Sequence, residues 1–224
     1  MKERPAMQTN AVTLRPETPA DRHAVETLTR EAFWNHHGPG CDEHYLAHTL
    51  RSDEAFLPDL CYVAEVNGQL AGSIFYARAN ILLDVGGTLP VVTFGPLSVL
   101  PAYQRMGVGR ALVARTRELA RAAGHAAILI YGDPAIYTRI GFVPAERYRI
   151  GTEDDRYGDP LMACELQAGA LATAAGRFSE GTAYHVDAQA AETFNASFPP
   201  KEKVEGTPSQ LRFLETIDMF RPRT

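Results

Sequence analysis

"PAYQRMGVGRALVART", residues 101–116, joins a Val/Leu-rich run to a helical pattern, with Gly107 and Gly109 two residues apart at the junction. On its C-terminal side, "GVGRALVARTRELARAAG" (107–124) predicts a helix. Val108, Leu112, Leu119 and Ala123 share one face, arginines occupy the other, and Gly124 stops it. On its N-terminal side, "LPVVTFGPLSVL" (89–100) reads as a long strand with Gly95-Pro96 inside it. Past the helix, "AAILIYG" (126–132) is a short apolar run, as a strand buried on both faces would be. Strand, helix and strand in this order require parallel pairing through a right-handed crossover.

Upstream, "LCYVAEVNGQLAGSIFYARANI" (60–81) is two strand patterns joined at Asn67-Gly68, a strong hairpin signal. The hairpin is antiparallel and the crossover parallel, so the sheet is mixed and the fold class is α/β (mixed α+β). "AVTLRP" (11–16) predicts a first strand. "TPADRHAVETLTREAFW" (18–34) predicts a helix capped by Thr18. "DEHYLAHTLR" (42–51) predicts a second helix, with Tyr45, Leu46 and Leu50 facing inward. Downstream, "DPAIYTRI" (133–140) predicts a helix capped by Asp133, and "GFVPA" and "PLMACELQ" (160–167) predict closing strands. Beyond residue 168 the pattern weakens to a candidate strand over 177–186 and helical spacing over 187–198 and 207–220.

The 224 residues carry a formal net charge of −5, so no basic footprint calls for nucleic acid. No stretch approaches the roughly 18 apolar residues of a membrane span. The N-terminal "MKERPAMQTN" lacks the apolar core of a secretory signal. Cys41, Cys61 and Cys164 are an odd number without framework spacing, which predicts free thiols and a cytoplasmic location.

A helix beginning near Gly107 presents unpaired backbone N–H groups and the positive end of its dipole. Glycines at 107 and 109 leave the approach open to an anion, most naturally a phosphate, with Gln104 and Arg105 as added donors. The alternative is that they only permit a tight strand–helix turn. Leu112 stands where a dinucleotide fingerprint needs its third glycine, and no P-loop pattern occurs.

Gln104, Gly107 and Gly109 after "GPLSVLPAY", followed by "IYTRIGF" (136–142), resemble the two signatures of the GNAT N-acetyltransferases. The order of elements agrees over roughly residues 11–167. The resemblance implies a GNAT-like acyl-CoA N-acyltransferase fold, a central mixed and splayed sheet flanked by helices, with a C-terminal extension. It implies acetyl-CoA as acyl donor and direct attack by a primary amine of a small molecule or protein. The pantetheine arm would lie in the splay, along Leu97, Ser98 and Val99. Gln104, Arg105, Met106, Gly107, Val108, Gly109 and Arg110 would wrap the pyrophosphate. Tyr137 matches the family tyrosine that points at the CoA sulfur, as general acid or as hydrogen-bond donor.

The strand over 89–100 lacks the carboxylate or histidine that some family members place there as base. Ser98 is a poor base without a partner, which leaves a water chain, the loop between the first two helices, or Glu65. His36, His37, Cys41, His44 and His48 fall within thirteen residues. His44 and His48 have the i, i+4 spacing that can hold a metal. The readings are a metal site, side chains lining the acceptor, or a solvated surface. The family places its acceptor loop here, so His36 and His37 are taken as substrate residues and no metal is expected. Arg110, Arg115, Arg117 and Arg121 predict a solvated helix face, with Arg110 near enough to touch phosphate.

The expected organisation is a GNAT domain over 11–167 and an extension over 168–224, packed on the domain or on a partner subunit in a homodimer. A rival reading is an acyl-CoA-binding sensor without turnover, and a third is a nucleotide-binding domain.

Overall fold

A computed structural model describes residues 11–223; the N-terminal decapeptide read above for a secretory signal lies outside the described residues. In chain order come β1 (Val12–Pro16), α1 (Arg22–Phe33), α2 (Glu43–Leu50), β2 (Tyr62–Val66), β3 (Gln69–Leu83), β4 (Thr88–Val99) and α3 (Val108–Ala122). Then come β5 (Ala127–Tyr131), α4 (Pro134–Tyr137), β6 (Val143–Pro144), β7 (Ile150–Gly151), β8 (Arg156–Gly158) and β9 (Leu161–Glu165). The chain closes with β10 (Gly176–Ser179), α5 (Ala188–Asn195), α6 (Pro208–Ile217) and β11 (Phe220–Pro222). None of these helices is long and apolar enough to cross a membrane.

Asn67 and Gly68 both take positive φ, 51° and 77°, which is the backbone a two-residue hairpin turn needs. They fold β3 back on β2, and β4 returns antiparallel to β3. The helix α3 carries the chain across to β5, which runs parallel to β4. The sheet order is β1-β2-β3-β4-β5-β9-β6. Strand alternation sends Ile74 and Tyr76 of β3 into one core beneath α3, with Val108, Leu112 and Val113. It sends Phe75 and Ala77 to the other face, with Val25 of α1 and Leu50 of α2.

The residues after 168 enter the sheet rather than trailing from it. β10 pairs antiparallel with the far half of β3, Ser179 opposite Asn80 and Gly176 opposite Leu83. Its partner on the other side is β7, and β11 pairs with β8. The candidate strand over 177–186 is realised as β10 at Gly176–Ser179, whereas β7, β8 and β11, of two or three residues each, carry too little periodicity to read. The rest of the segment clasps the loop between α1 and α2. The Asn35 carbonyl accepts from Thr207 (2.9 Å) and Gln210 (3.2 Å), and the Trp34 indole donates to the Glu202 carbonyl (2.8 Å). Phe194 of α5 packs with its ring tilted against His44 and His48 (5.4 and 4.6 Å).

Thr207 also accepts from the Gln210 amide to cap α6. Thr207→Ala is expected to cost about 1 kcal/mol, measured as a lower urea midpoint at unchanged slope.

Two sequence expectations need correction. The inward face of α2 is His44, Ala47 and Leu50, while Tyr45 and Leu46 are half-buried, because α5 covers a flank that the sequence left to solvent. Arg117 is half-buried rather than on a solvated face, and Arg121, though exposed as expected, is tied down. Arg117 donates to the Ile140 carbonyl (2.7 Å) and Arg121 to the Leu166 carbonyl (2.9 Å), tying α3 to the chain beyond β5.

Candidate functional site

β4 and β5 pair at one register point, Val92 opposite Ile128. No further pair joins them as β4 runs on to Val99 and β5 to Tyr131. The reason lies on β4. Its register with β3 slips between Ile74, opposite Leu97, and Tyr76, opposite Phe94. Gly95 and Pro96 therefore stand against the single residue Phe75, which is a bulge, and a bulge bends its strand. The gap that opens is where an extended ligand can add its own amides to strand backbone.

The loop at the end of β4 turns through Arg105 (φ 62°) and Gly107 (φ 86°), both left-handed. Glycine reaches that conformation without strain, and an arginine there is uncommon. Among the described residues no acceptor meets the backbone N–H groups of Arg105, Met106, Gly107, Val108, Gly109 or Arg110. Six consecutive free donors at a helix N-terminus form an anion cradle. Gly109 is not demanded by packing, since a Cβ there would meet Val99 Cγ2 at an ordinary 3.5 Å.

The other expected contacts divide by side chain and backbone. Gln104 is exposed and donates to the Val99 carbonyl (3.1 Å), closing the loop onto the strand end. Leu97 and Val99 lie half-buried under Gly109. Val108 is buried in the core, so it offers the loop only its N–H. The Ser98 hydroxyl is buried and donates to Thr29 Oγ1 (3.0 Å), so it faces α1 and not the loop. Arg110 and Met106 are exposed. Beside them a groove of about 320 Å³ runs between α3 and the turn after α4, lined by Arg110, Arg117 and Arg139 among others. Its cationic lining suits further phosphate, and Arg139 went unremarked in the sequence because only the fold brings it opposite α3.

Tyr137 ends α4, held by Asp133, whose carboxylate accepts from the Ala135 amide (2.8 Å). Its ring packs on Phe94 (5.9 Å) and Phe142 (5.7 Å), and Gly132 is the only residue that fits beneath it: a Cβ there would lie 2.3 Å from the ring. Among the described residues its hydroxyl makes no hydrogen bond. Burial pushes its pKa up to about 12.

On the opposite face of β4, the buried Thr93 hydroxyl donates to Glu180 Oε1 (3.5 Å), and the Tyr184 hydroxyl donates to the Gly95 carbonyl (3.2 Å). Glu180 directly follows β10 and shares the inward face of Phe178. Burial and the like charge of Glu153 push its carboxyl up to about 7 against the opposing Thr93 bond. The sequence reading passed over Glu180 and Tyr184; only the β10–β3 pairing places them beside β4. Glu65, named above as a base, is instead bonded to Arg15 (2.8 Å) on β2, two strands from β4.

His36 and His37 are exposed on the loop between α1 and α2. His37 Nδ1 lies 2.7 Å from Glu43 Oε1, and its ring is 4.6 Å from Phe213 of α6. The next residue back, Arg212, is paired to Asp133 beneath Tyr137 (2.9 Å). One turn of α6 thus spans from the histidine loop to the helix of Tyr137. His44 and His48 go to separate partners, Cys41 Sγ (3.5 Å) and Glu26 Oε1 (2.9 Å). Among the described residues no three His, Cys, Asp or Glu side chains converge as metal ligands.

Comparison with known proteins agrees with this geometry. Residues 58–144 match the acetyltransferase (GNAT) domain model. The Escherichia coli K12 protein YhbS, described as an uncharacterized N-acetyltransferase, is 31% identical over 129 residues, 58% of this chain and 72% of that one. The crystal structure of YhbS in complex with CoA superposes with a TM-score of 0.69 at 25% identity, covering 82% of this chain and 96% of that one. A Brucella melitensis GNAT family acetyltransferase in complex with acetyl-CoA shares the fold, with a TM-score of 0.63 at 24% identity over 79% of this chain and 99% of that one. A splayed mixed sheet with an anion cradle at the helix after β4 defines an acyl-CoA-dependent acyltransferase. The chain belongs to the GNAT family of acetyltransferases.

Proposed function

We propose that this protein transfers the acetyl group of acetyl-CoA to a primary amine of a small molecule or a protein, by direct attack within a ternary complex. The observation that carries the reading is the run of unpaired N–H groups from Arg105 to Arg110, set at the mouth of the gap between β4 and β5. The residues present fit the donor. The cradle suits a pyrophosphate, Arg110, Arg117 and Arg139 suit a further phosphate, and the backbone of Leu97, Ser98 and Val99 suits the amides of a pantetheine arm.

Acetyl-CoA supplies an activated carbonyl on a thiol leaving group. Around it, Tyr137 directs a hydroxyl into the gap from the α3 face. With Tyr137 near 12 and a thiol near 8.5, full proton transfer to thiolate is uphill by about 5 kcal/mol. Tyr137 therefore works as a hydrogen-bond donor to charge growing on sulfur, not as an outright acid. His36 and His37 line the approach for the amine. Residues 11–167 form the transferase body, into whose sheet the extension from residue 168 adds β10, and α6 of that extension walls the acceptor side. The three unpaired thiols suit a reducing compartment such as the cytoplasm.

Thermal unfolding with acetyl-CoA, and with ATP and NAD as controls, tests the donor. At about 100 times its Kd a ligand adds about 2.7 kcal/mol, which raises Tm by several degrees in a domain of this size. A rise with acetyl-CoA alone is expected, and no rise at saturation would remove the proposal. A screen of primary amines for CoA thiol release then finds the acceptor.

A further inference from the structure

Within the reading of this site as an acetyl-CoA-dependent transferase, we propose that Glu180, delivered by the extension, is the general base that takes the proton from the attacking amine. Three observations support it. First, β4 offers no base of its own. Its two polar side chains in the gap region are Thr93 and Ser98; Ser98 is sealed against Thr29, and Thr93 is spent on Glu180. Second, Glu180 and Tyr137 meet adjacent residues of β4 from opposite faces. Phe94 meets Tyr137 on one face, while Thr93 meets Glu180 on the other. Past the Val92–Ile128 pair β5 runs on to Tyr131 without pairing to β4, so both faces border the gap between the two strands.

Third, Glu180 lacks the partner a structural carboxylate would have. Among the described residues no Lys, Arg or His forms an ion pair with it, whereas the half-buried or buried Glu17, Glu26 and Glu65 all have arginine partners. The groups that face it are Thr93 from β4, Tyr131 from the end of β5, Tyr184 from its own loop and Glu153 from the turn between β7 and β8. Arg156, the cation whose charge reaches Tyr131, is held by Asp154 (2.7 Å). A half-buried carboxyl ringed by hydroxyls and another acid, with no cation, suits an incoming ammonium. Its anchor is a strand of the main sheet, so its position is rigid.

The proton and electron balance is complete. The acceptor arrives as an ammonium and loses one proton to the Glu180 carboxylate. The freed lone pair forms the N–C bond to the thioester carbonyl. The C–S bond breaks with its electron pair on sulfur, under the Tyr137 hydrogen bond. The nitrogen sheds its second proton, which ends on sulfur as the CoA thiol, and Glu180 returns the first to water.

Burial places the Glu180 carboxyl at about 7, so the active, ionised base appears as pH rises through that value. The test follows CoA thiol release from acetyl-CoA with n-butylamine as acceptor, over a pH range bracketing about 7, for the wild type, Glu180→Gln and Glu180→Asp. For the wild type, kcat/KM is expected to rise with pH through about 7 and level off. Glu180→Gln should be at least about 100-fold slower and lack that limb, while the Tm rise given by acetyl-CoA is unchanged. Glu180→Asp should keep the limb at a reduced rate. A second readout needs no activity. The folded state holds the Glu180 proton more tightly than the unfolded one, so this group's contribution to wild-type Tm falls as pH rises toward about 7. Glu180→Gln should lose that part of the decline. A Glu180→Gln enzyme with wild-type rate and limb would overturn Glu180 as base while leaving the transferase reading intact. A wild type that releases no thiol although acetyl-CoA raises its Tm would overturn transfer and base together.

Discussion

Gly109→Glu should abolish the acetyl-CoA-induced rise in Tm while leaving the ligand-free protein as stable as the wild type or slightly more so. The two effects have opposite signs because the position has two sides. Inward, the added Cβ meets only Val99 and Leu97 at ordinary contact distances, 3.5 and 3.9 Å. Gly109 is the second residue of α3, where replacing glycine gains up to about 1 kcal/mol of helix propensity. A carboxylate in the first turn adds about 0.3–1 kcal/mol against the helix dipole. Outward, the same carboxylate occupies the free N–H groups of the cradle and repels the pyrophosphate. Affinity should fall by a factor of about 1,000 or more, since a desolvated like-charge contact costs several kcal/mol. Calorimetric titration of acetyl-CoA checks it. Undiminished binding would mean that the cradle is not the anion site.

Tyr137→Phe should lower kcat by about 100- to 1,000-fold, the usual cost of removing one hydrogen-bond donor aimed at developing charge. KM for acetyl-CoA and the acetyl-CoA Tm shift should stay close to wild type. Phenylalanine keeps the ring against Phe94, Phe142 and Gly132. Among the described residues the hydroxyl has no partner, so its removal strands no group in the interior. Stability should therefore be unchanged, which separates loss of chemistry from loss of fold. Rapid-mix kinetics on the variant measure it. Full turnover would return Tyr137 to the role of a packed aromatic.

Much of the fold was legible because its signals are local. Asn67-Gly68 sets a hairpin by backbone conformation alone. The apolar stripe of α3 and the Gly107–Gly109 pair are read within one window of sequence. Asp133 and Thr207 name their helix starts by side-chain chemistry. The cradle and the position of Tyr137 follow from these same windows, helped by a family resemblance that two separated motifs carried together.

The illegible parts are those made by contacts distant in sequence. The surroundings of Thr93 depended on a four-residue strand finding β3 some hundred residues earlier. The pattern over 177–186 suggests a strand, but nothing in it names β3 as the partner. His44 looked like half of a metal pair until α5 and the turn after it brought Phe194 and Phe198 onto it (5.4 and 5.2 Å). Arg117 looked solvated until the Ile140 carbonyl came within 2.7 Å.

By itself, then, the sequence determined the order of elements, the parallel crossover and the bare anion loop, because each rests on period, spacing or the φ preference of single residues. Tertiary structure alone decided that β4 parts from β5, that α6 bridges the histidine loop and Asp133, and that Glu180 faces Thr93. Those relations depend on which strand edges pair and on what burial does to a carboxyl, and neither is encoded in any short window of the chain.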